Sequence, residues 1–208
     1  MAGYQTILEK EREMFHKVSH WELMWMNAVM CNWDEAIKYS QLLRQKTLHS
    51  PAIVTFLEGI FRYSKGKLEN NQKLLDEASA LFETVPGMRI RYLGKTMTLE
   101  KAVIVQSQRF FKNGKTMTLP VMEAIYNINY VYLLNGNENY AEKWMKIVED
   151  EMAEYKKDSA NIEKYFVALF YKGVLLKHMK KYAEAKQCFN TILTEYVFFK
   201  EYFSMSKN

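Results

Sequence analysis

The sequence predicts an all-α chain of paired antiparallel helices, and three observations carry that reading. Only 3 Pro and 8 Gly punctuate the 208 residues, too few for the many turns of a sandwich or barrel. Start and stop signals recur at helical lengths. No stretch alternates with the period of two that marks a half-buried strand. With 49% hydrophobic and 25% charged residues, the chain is apolar enough to bury a core and too apolar for disorder. Its 13 Met and 14% aromatic content point to a core filled by large, adaptable side chains.

The elements follow from their caps. A first helix is expected over about 4–16, and Ser19 with Glu22 reads as a capping box opening a second over about 20–31. Val18 and Leu23 suit the accompanying hydrophobic staple. Asp34 caps a third helix to about Lys46, and Ser50 followed by Pro51 starts a fourth that ends at Gly66. A fifth runs from about Leu68 to Val85, where Pro86 and Gly87 stop it. Thr98 opens a helix to Phe111, and Thr118 with Pro120 opens another that ends at Asn135 and Gly136. Three more cover about 138–156, 160–179 and 182–195. Short connections between these helices imply antiparallel neighbours. The predicted organisation is one helical-repeat domain over 1–208, with about ten helices. Helical pairs lie near 20–46, 51–85, 118–156 and 160–195, and an insertion lies near 87–118.

A repeat is visible in these pairs. Gly173 precedes Ala185 by twelve positions, and Phe189 follows four later, which is the tetratricopeptide spacing of small residue, alanine and aromatic. Gly173 and Ala185 let two helices approach closely, while Phe189 and Tyr182 are expected to fill the space around them. Trp33 and Ala36 repeat the Tyr182 and Ala185 pair 149 residues earlier, so the class is a tetratricopeptide-like solenoid of helical hairpins. Trp21, Trp25 and Trp33, and likewise Tyr126, Tyr130 and Leu133, recur at helical spacing and read as core stripes.

Several blocks resemble a known family. FHKVSHWELMW from Phe15 and NWDEAIKYSQLL from Asn32 are similar to the tetratricopeptide repeat protein 39 family, which includes the fungal inclusion-body clearance proteins. So are VPGMRIRYLGKT from Val85, LPVMEAIY from Leu119, KGVLLKH from Lys172 and YAEAKQCFN from Tyr182. Members are usually longer, so the resemblance implies an interior or truncated member. It also implies a non-catalytic adaptor linked to lipid homeostasis or inclusion-body clearance.

Charge is unevenly placed. The net charge is +5, yet residues 87–118 hold seven bases (Arg89, Arg91, Lys95, Lys101, Arg109, Lys112, Lys115) and one acid, Glu100, leaving 22 bases against 23 acids elsewhere. An acidic partner is the natural complement of that segment. Nucleic acid is excluded as a partner because few aromatics interleave the bases and no recognition module is present.

Chemistry is sparse. Gly94-Lys95-Thr96 and Gly114-Lys115-Thr116 resemble the end of a phosphate loop, but Arg89 and Arg109 stand where its first glycine belongs. His16, His20, His49 and His178 have no metal-ligand spacing with Cys31 or Cys188, and no acid/base pair stands out. No metal and no cofactor are expected. The two cysteines read as reduced thiols, and the polar N-terminal stretch argues against a signal or transit peptide, so a cytoplasmic location is expected.

These readings converge on a non-catalytic scaffold for a protein or peptide partner. The chosen binding residues are Arg89, Arg91 and Lys95 of the insertion, with Asn127 and Asn129 on a groove-facing helix. Two alternatives stand beside it. One is a purely structural segment of a larger adaptor, and the other is a peripheral binder of anionic membranes through the basic insertion. The apolar tail from Tyr196 to Phe203 adds an expectation of self-association through uncapped ends.

Overall fold

The computed structural model describes residues 2–45, 50–91, 96–155 and 161–196. Among the described residues the chain is all-α, with no strand and nine α-helices packed as tetratricopeptide-like hairpins. It divides into two compact units, 1–117 and 118–208.

The first unit holds α1 (Ala2–Val29), α2 (Trp33–Gln45), α3 (Pro51–Glu69), α4 (Gln72–Thr84) and α5 (Thr98–Lys112). The hairpins are α1 with α2 and α3 with α4. Helix α2 also packs on α3, and α5 lies against α3 and α4. The expected break at Ser19 is absent. Its hydroxyl donates to the Phe15 carbonyl one turn back (2.9 Å) instead of capping a new helix; the helix runs through, and Val18 and Leu23 are exposed rather than stapled.

Three hairpin turns share one geometry. Cys31, Asn70 and Lys180 take left-handed φ values of 58°, 52° and 61°. The residue after each donates its N–H to the carbonyl five positions back: Asn32 to Asn27, Asn71 to Gly66 and Lys181 to Leu176, all at 2.8 Å. This closes the helix end and reverses the chain. Gly66, expected as a terminator, lies inside α3, because Asn70 makes the left-handed turn. A Cβ on Gly66 would meet the Leu75 side chain at 2.9 Å, so the missing side chain lets α4 close in.

Aromatic packing fills the first unit. Phe82 sits under Gly59, where a Cβ would be 2.5 Å from its ring. It meets Phe56 and Phe110 at ring separations of 5.5 and 4.8 Å. Each such buried ring contributes roughly 1.5–3 kcal/mol of burial free energy. One carboxylate crosses this core. Glu58 is 1% exposed and accepts from Arg44 Nε of α2 (2.8 Å) and Arg62 Nε of α3 (2.9 Å). Arg62 also pairs with Glu77 of α4, so a charged network links α2, α3 and α4.

The second unit holds α6 (Pro120–Asn127), α7 (Glu138–Tyr155), α8 (Ile162–His178) and α9 (Tyr182–Thr191), which continues as a π turn over Ile192–Tyr196. A 3₁₀ turn, Tyr130–Leu134, follows α6. Helix α8 packs on both α7 and α9. Phe166, Leu169, Leu176, Ala185 and Cys188 form its core with Met145, Met152 and Phe189. The helix expected to run from Thr118 to Asn135 is broken. Asn129 adopts φ 63°, which shifts the helical phase after it, so Val131 and Leu134 are buried; Tyr126, on α6 before the break, is 39% exposed. The predicted core stripe of Tyr126, Tyr130 and Leu133 is thereby displaced.

Gly173 faces α9 as expected of a small residue at a crossing: a Cβ there would be 2.8 Å from Phe189 Cε1 and 3.2 Å from Cys188 Cβ. Ala36 and Ala185 are buried, and Trp33 is half-buried. Tyr182 departs from expectation. It opens α9 and is 64% exposed. The threonine caps also differ: α5 is preceded by Met97 and α6 by Leu119, neither with a side-chain cap.

Candidate functional site

The basic segment is built on an internal anchor. Pro86 and Gly87 sit in the 3₁₀ turn Val85–Met88, after which the backbone extends at Arg89. Glu100, in the first turn of α5, is fully buried. Its Oε1 accepts from the Ser50 hydroxyl at the start of α3 and from the Ile90 N–H, each at 3.0 Å. Ser50 therefore spends its hydroxyl on Glu100 and makes no side-chain cap to its own helix. Val103, Ser107 and Phe110 continue the buried face of α5.

This burial changes the charge seen from outside. The only acid of residues 87–118 points inward, while Arg89, Arg91, Lys101, Arg109, Lys112 and Lys115 are exposed. Arg89 is oriented by donating from Nε to Thr96 Oγ1 (2.8 Å). Arg91 follows two residues later and is likewise exposed. Lys95 lies outside the described residues, as does His49. Among the described residues no ion pair joins any of the six bases to a carboxylate, whereas Lys38, Lys146 and Lys172 each meet one and Lys65 meets two.

Asn127 and Asn129 belong to the second unit. Both are exposed, Asn127 as the last residue of α6 and Asn129 in the left-handed turn after it. They stand at a helix break rather than on a continuous helix face. The run Asn127-Ile128-Asn129 carries two residues that favour turns, and it marks this break in the sequence.

A concavity of about 290 Å³ lies between α8 and α9, floored by Leu169, Leu176 and Cys188 and edged by Lys172 and Gln187. Lys172 is held by Glu149 of α7 (2.7 Å). Burial pushes the Cys188 thiol above its ordinary pKa, so it stays protonated and a poor nucleophile at neutral pH. Burial likewise raises the Tyr171 phenol, helped by the nearby Glu123 charge. Neither group is set up for acid/base work. His16 and His20 come side by side on α1, ring centroids 6.4 Å apart. Among the described residues no group of three His, Cys, Asp or Glu is placed to hold a metal, and no helix is long and apolar enough to cross a membrane.

Helical hairpins closed by a shared turn, with small residues at their crossings, define a tetratricopeptide-type repeat protein. The chain belongs to the Iml2/tetratricopeptide repeat protein 39 family, whose model matches residues 3–179. It is 30% identical over 186 residues to tetratricopeptide repeat protein ttc-39B of Caenorhabditis elegans, covering 87% of this chain and 31% of that relative. The chain thus spans about a third of the relative's length. No solved structure matches it.

Proposed function

We propose that this chain is a non-catalytic scaffold that holds a protein or peptide partner, with the 87–118 segment meeting acidic groups on that partner. The observation that carries the reading is the inward turn of Glu100. It leaves the segment's exposed charge wholly positive, on a chain whose remaining residues nearly balance. Such a field steers an acidic partner and rewards Arg–carboxylate pairing at short range. Family membership supports the scaffold role, because repeats of this type present surfaces and carry no reaction centre of their own. Arg89, Arg91 and Lys95 form the proposed contact in the first unit, and Asn127 and Asn129 offer amide groups to a peptide backbone in the second. By resemblance, the process served is lipid homeostasis or inclusion-body clearance, in the cytoplasm.

The test is the triple substitution of Arg89, Arg91 and Lys95 to Glu, with partners captured by crosslinking and their affinity followed across a salt series. Loss of capture at low salt, with an unchanged melting temperature, supports the reading, since exposed charges contribute about 0–1 kcal/mol each to stability. Equal binding by wild type and variant at every ionic strength removes this segment as the contact.

A further inference from the structure

The outer face of α5 carries a pattern that the charge count alone does not show. Lys101, Val105, Arg109 and Lys112 follow one another at helical spacing and are all exposed, with Val105 42% exposed at the centre. Glu100, Val103, Ser107 and Phe110 occupy the opposite, buried face. At 1.5 Å per residue the three bases span roughly 16 Å of helix. Among the described residues none of the three makes an ion pair with a carboxylate, unlike Lys38 and Lys172.

We propose that this face of α5 is a docking track for an acidic amphipathic helix of the partner, a proposal that rests on the scaffold reading. A helix laid antiparallel along the track places carboxylates opposite Lys112, Arg109 and Lys101 when they stand at its positions 1, 4 and 12. An aliphatic residue at position 8 then falls on Val105. That spacing keeps all four on one stripe of the incoming helix. The charges fix register and speed encounter, while the aliphatic contact supplies burial. A bilayer is the poorer match. Only Val105 and the small Ala102 offer apolar surface on this face, and Leu99 and Phe111 lie on its margins, so little is available to insert.

The experiment uses the full chain and a fluorescent helical peptide with Glu at positions 1, 4 and 12 and Leu at position 8. A scrambled peptide of identical composition and vesicles of phosphatidylserine with phosphatidylcholine serve as comparisons. The patterned peptide is expected to bind at least tenfold more tightly than the scramble. Binding should fall at least tenfold in K101E/R109E/K112E and weaken with rising salt, while circular dichroism and melting stay as in wild type. Equal binding of the two peptides, or no effect of the α5 substitutions, overturns the proposal. Binding to the vesicles without binding to the patterned peptide also overturns it. If crosslinked partners are lost on reversing Arg89, Arg91 and Lys95 but retained in the α5 variant, the track is refuted while the scaffold reading stands.

Discussion

The hydroxyl of Tyr63 holds both backbone polar groups of Met117. It accepts the Met117 N–H at 3.0 Å and donates to the Met117 carbonyl at 3.3 Å, across 54 residues of chain. The Tyr63 ring, 5% exposed, rests edge-on against Phe110 at 5.8 Å, so a rigid aromatic presents the hydroxyl. Tyr63→Phe keeps the packing and removes both bonds. A loss of about 2 kcal/mol is expected, because two backbone groups are left to find water. Chemical denaturation of the variant measures it, and an unchanged midpoint would show that the Met117 groups are readily resolvated.

Glu58→Gln should cost more. The change keeps the shape but removes the negative charge that Arg62, only 14% exposed, and Arg44 both meet. Breaking one side of a buried pair costs about 3–5 kcal/mol, and the lower end applies here because Arg44 reaches water and Arg62 retains Glu77. If the double variant of Glu58 and Arg62 to apolar residues recovers the loss, the network's role is to satisfy its own charges.

At the α8–α9 crossing, Gly173→Leu is expected to destabilise by about 1–3 kcal/mol through overpacking. Gly173→Ala should cost less. The Phe189 ring can swing aside, but Cys188 Cβ at 3.2 Å is fixed to the backbone. Alanine's better helix propensity, near 1 kcal/mol, offsets part of the strain. Thermal melts of the two variants should therefore rank alanine above leucine; the reverse order would mean that the helices separate freely here.

Lys180→Gly should stabilise. Lys180 holds φ 61° at the α8–α9 turn, a conformation that costs an L-residue about 1–2 kcal/mol and glycine almost nothing. After glycine's extra chain entropy in the unfolded state, a gain of about 0.5–1 kcal/mol remains. A lowered melting temperature would indicate that the lysine side chain makes a compensating contact.

The sequence by itself determined what is local. Helix class, most turn positions and the Gly173 crossing follow from caps, period and steric size, which neighbours along the chain decide. The expected correspondence between Ala36 and Ala185 is matched in the turns, since Cys31 and Lys180 lie five residues before each. The α3–α4 hairpin carries the same spacing, since Ala78 follows Gly66 by twelve positions and Phe82 comes four later. Its turn is placed differently: Asn70 lies eight residues before Ala78, where Cys31 and Lys180 lie five before their alanines. Only the tertiary structure brings the Leu75 side chain onto Gly66. The positive charge of the basic segment was legible as a count, while the burial of its one acid was not. Only the tertiary structure takes Glu100 inside, because Ser50 and Ile90, 50 and 10 residues away, arrive to bond it there.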